Sequence, residues 1–327
     1  MTLLSTIAQR TFTQALTKSL AKPILPQKAT MTTAAFRYID AAAIPQGTKP
    51  WVKVDADVTS FKLAEKKRSV HNLRGHENEF STDISGFAVY KEPANEKLFT
   101  DDAAVRGSYY QEVEDLLKKH IPGIKRVVVF DHTIRRRNPE AARAPVQQVH
   151  VDQSPAAAEA RVRRHLPADE AEELLKGRFQ IINVWRPIEN AASDFPLAVI
   201  DWRTTKPEDF VPVDLFYPKR ADFAKDNDDR GKEARADEST WYSTEGYEVR
   251  GETMSVAPSE GHKFYYQKDM TPEEVLLLKC YDSWGEGQPQ GKDGIAVRTP
   301  HTAFIDPQTP KEAPWRQSIE VRCLVFY

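Results

Sequence analysis

The chain has 327 residues, 40% of them hydrophobic, and 46 basic against 48 acidic side chains give a net charge of −2. That length supports one large or two small domains, and the balanced charge offers no basic excess for nucleic acid or an anionic membrane. No apolar run approaches the roughly 20 residues of a membrane span, and two cysteines, Cys280 and Cys323, without a Cys-x-x-Cys, give neither a disulfide framework nor a thiolate zinc site.

In chain order, residues 1–30 carry Arg10, Lys18, Lys22 and Lys28 and no acidic residue, with Leu3, Leu4, Ile7, Leu16 and Leu20 on a loose helical stripe. This suits a mitochondrial transit peptide or an unstructured tail equally. The expected location is cytoplasmic, or mitochondrial if residues 1–30 are a transit peptide. A single domain is expected over 31–327. The cluster KLAEKKR at 62–68 reads as a solvated basic helical or loop face. Residues 86–92 read as a strand. Residues 100–123 read as a helix, with Val113, Leu116 and Leu117 as its apolar stripe, Lys118 and Lys119 at its C-terminal end, and Pro122-Gly123 as its stop.

A strand over 125–136 and a loop over 137–145 come next. Residues 155–177 form a helix in two pieces, broken at Pro167, and strands follow over 179–188 and 196–204. Residues 219–240 are strongly charged and read as an exposed insertion. Residues 261–267 read as a strand. VLLLKCYDS at 275–283 fits a helix or a core strand, since periodicity does not arbitrate over so short a run. The terminal SIEVRCLVFY is a strand. No GxGxxG, phosphate-binding loop or internal repeat is present. The expected class is α+β, mainly β: a double-stranded β-helix, or jelly roll, from about residue 85 with flanking helices.

The chemistry concentrates in QVHVDQS at 148–154. On a strand, Val149 and Val151 share one face and His150 and Asp152 the other. A His-x-Asp pair with a distant histidine makes the 2-His-1-carboxylate triad that leaves coordination positions open. Among His71, His76, His120, His132, His165, His262 and His301, the last stands out. Arg316 and Ser318 follow it, an Arg-x-Ser whose side chains share a strand face. A guanidinium forks onto a carboxylate and a hydroxyl adds a bond, which is what the far carboxylate of 2-oxoglutarate requires. Arg322 lies on the same face and competes for that role. Arg316 is preferred for its serine partner, and a salt bridge to Glu320 is the plainer account of either arginine.

The blocks FDHTIRRR, VHVDQSPAAAEARV, RFQIINVWRPI, PLAVIDWR, DLFYP, GHKFYYQKDMTPEEVLLLKCYDS, PHTAF-DP and the terminal R-S-IEVR-LVFY occur in this order. Over about residues 85–327 the chain resembles a mostly fungal hydroxylase/desaturase family, which takes in gibberellin-desaturase-like proteins and relatives of a bacterial cephem-methoxylase component. The resemblance implies an Fe(II)- and 2-oxoglutarate-dependent oxygenase that consumes O₂ and hydroxylates or desaturates a small organic molecule. It places the metal ligands on His150, Asp152 and His301, and it puts the Trp185-Arg186 block near the pocket. Arg186 thus joins Arg316, Ser318 and Arg322 as a candidate cosubstrate-binding residue. Residues 1–30 and the charged insertion depart from the pattern. The expected partners are a small-molecule substrate and either a second copy or a partner enzyme, with no nucleic acid and no membrane. Two other readings stay open: a jelly-roll binding or accessory component without turnover, and a zinc-dependent hydrolase.

Overall fold

The computed structural model describes residues 31–55, 58–137, 145–219 and 238–327. The first strands are β1 (Met31–Ile39), β2 (Trp51–Lys53), β3 (Val58–Thr59), β4 (Leu63–Asn72) and β5 (Phe87–Lys91). A helical stretch follows: α1 (Asp102–Ala104), a π-helical turn (Val105–Tyr109) and α2 (Tyr110–His120). Next come β6 (Arg126–Arg136), β7 (His150–Val151), α3 (Pro155–His165), α4 (Ala168–Leu174), β8 (Phe179–Pro187) and β9 (Leu197–Ile200). The described chain ends with β10 (Phe210–Pro218), β11 (Tyr247–Val256), β12 (Phe264–Tyr266), β13 (Glu274–Asp282), β14 (His301–Ala303) and β15 (Gln317–Phe326).

These strands form a ten-stranded major sheet, ordered β1-β4-β12-β9-β14-β7-β11-β10-β2-β3, and a five-stranded minor sheet, ordered β5-β13-β8-β15-β6. The two face each other as a jelly roll. Leu73 and Val199 of the major sheet side pack with Phe87, Trp185, Leu276 and Leu278 of the minor sheet. The other face of the minor sheet, with Ile182, Val184, Leu277, Val321 and Cys323, buries against Val113, Leu116 and Leu117 of α2. β13 is therefore covered on both sides. Its residues are buried almost without interruption, so the period-2 signal that separates strand from helix is erased. The sequence left this segment undecided for that reason, and the structure makes it a strand.

The strands of the major sheet begin well before residue 85. β1 alternates exposed and buried residues along its length, and it pairs with β4 from Met31↔His71 to Ile39↔Leu63. The KLAEKKR cluster is thus a strand rather than a helical or loop face. Its charges sit on a largely solvent-facing strand, which also discourages pairing with other chains. A backbone bridge between Arg37 and Gln148 folds this end of the sheet back on itself. Inside the resulting small barrel, Phe36, Tyr38, Val70, Ile200, Phe264 and Phe304 form a core of their own. Phe36 stacks on Phe264 with ring centroids 4.1 Å apart.

The segment 196–204 is shorter as a strand than expected. β9 ends at Ile200, and Asp201 caps a 3-10 turn over Trp202–Thr204. The helix over 100–123, the broken helix over 155–177 and the terminal strand form as expected. The first thirty residues, most of the loop over 137–145 and nearly all of the insertion over 219–240 lie outside the described residues. Both cysteines are buried and free.

Candidate metal centre

β7 and β14 are neighbours in the major sheet, and their pairing sets His301 directly opposite His150. Val149 and Val151 are fully buried, while His150 and Asp152 project from the other face toward the minor sheet. The two imidazole rings lie 4.5 Å apart, centroid to centroid. Nε2 of His150 is 3.4 Å from Asp152 Oδ1, and Nε2 of His301 is 3.7 Å from the same oxygen. The three ligand atoms lie within 4.8 Å of one another, and no other such group of three occurs among the described residues.

The hydrogen bonds around these groups aim them. His150 Nδ1 lies 2.8 Å from the Gln148 carbonyl and His301 Nδ1 lies 3.0 Å from the Thr299 carbonyl. A carbonyl only accepts, so each Nδ1 carries a proton and each Nε2 is the atom turned toward the shared point. Asp152 divides its oxygens: Oδ1 faces the imidazoles, and Oδ2 accepts a 2.7 Å hydrogen bond from Asn183 Nδ2. Arg322 Nε stands 3.5 Å from that second oxygen. Burial pushes the Asp152 carboxyl up. The adjoining His150 and the positive charge of Arg322 outweigh it and hold the group well below the usual carboxylate range. Burial pushes the His301 ring down, toward its neutral form. An ionised carboxylate and oriented imidazoles make a donor set that fits Fe(II) and leaves one side of the ion open.

The arginines sort by the company they keep. Arg322 is saturated. Its Nη1 lies 3.1 Å from both oxygens of Asp131, and its Nη2 is 3.1 Å from Glu320 Oε1. Arg316 is 4% exposed and has no carboxylate on its guanidinium. Its Nη1 donates to the Phe195 carbonyl at 2.7 Å, and its Nε is buried without a partner. Burial, aided by the like charge of Arg135, drags its pKa down to about 9. Phe195 holds φ at 44°, the left-handed region that a bulky residue seldom occupies, and this turns its carbonyl to the guanidinium. A buried cation with unused donors is costly unless an anion meets it. The open donors of Arg316 therefore fit the far carboxylate of 2-oxoglutarate. Ser318, 2% exposed, shares its strand face.

Arg186 departs from the expectation. Trp185 faces the interior, so the next residue faces α2. There Arg186 Nε donates to Tyr109 Oη at 2.8 Å and Nη1 to the Glu92 carbonyl at 2.7 Å. It braces the helix against the minor sheet and does not reach the triad. Of the aromatic side chains that a pocket could use, Trp185 and Tyr265 pack between the sheets, whereas Tyr266 and Phe304 lie in the small barrel. His132 is buried 2.7 Å from Tyr110 Oη, and His262 lies 2.9 Å from Asp209; neither joins the triad. Sequence reasoning missed Asn183. Its signal was an amide inside the apolar run FQIINVW, where burial on both faces demands a hydrogen-bond partner.

Residues 36–326 match the family described as oxidoreductase/YMDC permease-like domain. The hydroxylase/desaturase efuI of Hormonema carpetanum is 33% identical over 285 residues, which cover 82% of this chain and 86% of that one. The Fe(II)/2-oxoglutarate-dependent dioxygenase nvfI of Aspergillus novofumigatus is 32% identical over 275 residues, 82% of this chain and 85% of the relative. The chain belongs to the hydroxylase/desaturase family. Among solved structures, the iron and alpha-ketoglutarate-dependent endoperoxidase NvfI superposes with a TM-score of 0.74 at 29% identity, over 91% of this chain and 98% of that one. This hydroxylase/desaturase is accordingly an Fe(II)/2-oxoglutarate-dependent oxygenase with a jelly-roll core, and its substrate is a small organic molecule of the secondary-metabolite kind.

Proposed function

We propose that His150, Asp152 and His301 are the iron ligands and that Arg316, with Ser318 beside it, anchors the far carboxylate of 2-oxoglutarate. The observation that carries this reading is the pairing of opposites across the interior. An ionised carboxylate with two oriented imidazoles stands on the major sheet, and a buried guanidinium without a counter-ion stands on the minor sheet. These three ligands would hold Fe(II), which when bound would supply the oxidising power of the 2-oxoglutarate- and O₂-dependent reaction.

The side chains do the positioning. The Gln148 and Thr299 carbonyls hold a proton on each Nδ1 and so turn the Nε2 atoms of the two histidines toward the metal position. Asn183 holds Asp152 to one oxygen for the metal. Arg322 adds a positive charge behind Asp152, which keeps it ionised in a buried site. Arg316 offers a directional, charge-assisted clamp that fixes 2-oxoglutarate at its distal end. Trp185, whose ring centroid lies 5.8 Å from the Arg316 guanidinium, walls that end from water. The reaction assigned is hydroxylation or desaturation of an organic substrate held over the open side of the metal.

The test is an anaerobic titration of the Fe(II)-loaded protein with 2-oxoglutarate, following the weak visible band of an iron-chelated keto acid. The wild type should develop the band, His150→Ala should lose it, and Arg316→Ala should need far more 2-oxoglutarate to reach it. A band that survives Arg316→Ala unchanged moves the anchor elsewhere. A wild type without the band sinks the assignment.

A further inference from the structure

Asp152 is followed at once by α3. Ser154 caps that helix by accepting from Ala157 N at 3.1 Å, and Pro155 opens it. Ala158 and Val162 bury into the core, and the next face of the helix carries Arg161 and His165, one turn apart. Both stand against Phe130. The Arg161 guanidinium lies 5.2 Å from the ring centroid, and the His165 ring stacks at 5.1 Å. Phe130 adjoins Asp131, whose carboxylate holds Arg322, and Arg322 in turn reaches Asp152, so a short chain of contacts links this cluster to the triad.

Arg161 makes no hydrogen bond and no ion pair with any described residue. The charged and titratable groups that act on it are Asp131, Arg164, Tyr217 and Arg322. Two of these four are cations. Asp131, the acid among them, is already committed through both oxygens to Arg322. His165 adds no negative charge, and burial with Arg161 and Arg164 lowers its pKa to about 4. The result is a half-buried guanidinium held over an aromatic ring, with its donors uncommitted. Its donors, half-buried and uncommitted within the protein, are free to fork onto an anion that displaces water from them.

We propose that Arg161 receives a carboxylate, or an equivalent anionic group, of the organic substrate, so that this enzyme selects acids over their neutral counterparts. The inference rests on the oxygenase reading above and deepens it. Arg316 takes the cosubstrate carboxylate from the minor sheet, and Arg161 takes the substrate carboxylate from α3. The clamp fixes one end of the substrate while its apolar remainder lies over the open face of the metal.

The experiment is an anaerobic calorimetric titration of the full chain, loaded with Fe(II) and saturating 2-oxoglutarate. The ligands are 4-phenylbutyrate and 1-naphthoate, each against its neutral primary amide. Arg161→Gln and Arg161→Lys are measured beside the wild type, and 2-oxoglutarate is titrated separately into each protein. A charge-assisted hydrogen bond predicts that the acids bind the wild type about ten- to a hundredfold more tightly than the amides. The preference should vanish in Arg161→Gln and return in part in Arg161→Lys, with 2-oxoglutarate affinity unchanged throughout. Equal binding of acid and amide, no binding of either acid, or a preference that survives Arg161→Gln overturns the proposal. So does a selective loss of 2-oxoglutarate affinity in Arg161→Gln, which would place Arg161 in the cosubstrate site. Failure of the wild type to bind 2-oxoglutarate at all would strike instead at the oxygenase assignment.

Discussion

Asn183 donates a 2.7 Å hydrogen bond to the oxygen of Asp152 that faces away from the two histidines. It stands on β8, so the minor sheet fixes how a carboxylate of the major sheet presents itself. Outer partners of this kind set ligand orientation, and their removal typically weakens metal binding 10–100-fold. Asn183→Leu, close in volume and unable to donate, should lower Fe(II) affinity by about that factor while the fold persists. Competition with a chelator measures it; unchanged affinity would mean that Arg322 alone orients Asp152.

Arg316 and its missing counter-ion predict opposite effects on binding and on stability. Arg316→Met should raise the 2-oxoglutarate dissociation constant by roughly 30- to 1000-fold, about 2–4 kcal/mol, the scale of a buried charge pair that loses one partner. The same change removes an unpaired buried cation, so the apo protein should melt no lower than the wild type. A large drop in melting temperature with little change in 2-oxoglutarate affinity would make Arg316 a structural brace.

Gly86 sits at φ 90°, and a Cβ there would come within 2.5 Å of Thr299 Oγ1 and 2.9 Å of the Arg298 carbonyl oxygen. Thr299 also supplies the carbonyl that orients His301. Gly86→Ala should therefore cost about 2–4 kcal/mol of stability through strain and overpacking. It should also weaken Fe(II) binding, because it pushes on the segment that aims a ligand. Thermal unfolding with and without Fe(II) separates the two effects.

His165 gives the pH dependence a sign. Burial, then Arg161 and Arg164, lower its folded pKa to about 4 from 6.5. The unfolded chain therefore binds the extra proton between these values. The stability from keeping this ring neutral is fully present above about pH 6.5 and is lost as pH falls toward 4. Discounted for the solvent-exposed part of the ring, the effect is on the order of 1–2 kcal/mol. Urea midpoints between pH 7 and 4.5 should fall less steeply in His165→Phe than in the wild type. Parallel slopes would remove His165 from the acid limb.

Phe36 tests whether the strand at 31–39 is integral to the fold. It is 1% exposed and stacks between Phe264 and Phe304 in the small barrel. Phe36→Ala should cost about 3–5 kcal/mol, as large-to-small changes in a packed core do. Chemical unfolding followed by intrinsic fluorescence would report it, and a loss under about 1 kcal/mol would make β1 an accessory flap.

Some of this was legible in the residues because it is local. The i, i+2 spacing of His150 and Asp152 places both on one strand face whatever the rest of the chain does. Pro167 breaks its helix by removing a donor, and the Lys118-Lys119 end of α2 ends where its dipole asks. The ordered blocks from FDHTIRRR to LVFY carried the family, and with it His301 as the candidate third ligand. Other features are set by long-range contact. β8 and β13 are covered on both faces, so their sequences show no alternation. Nothing local says that Trp185 turns inward and Arg186 outward. The buried residues of β1 alternate with threonine, alanine and arginine, and only pairing with β4 and closure at Gln148 make it a barrel wall.

The sequence by itself determined the residue types and strand spacing of the candidate triad and left Arg316 and Arg322 as rivals for one role. Their separation belongs to the tertiary structure alone. Arg322 lies within β15 and Arg316 just before it; Arg322 meets Asp131, Glu320 and Asp152, whereas the Arg316 guanidinium meets the Phe195 carbonyl and no carboxylate among the described residues. A guanidinium's use depends on which anions the fold brings within a few ångströms of it. Those anions come from other strands, at sequence separations that no local pattern encodes.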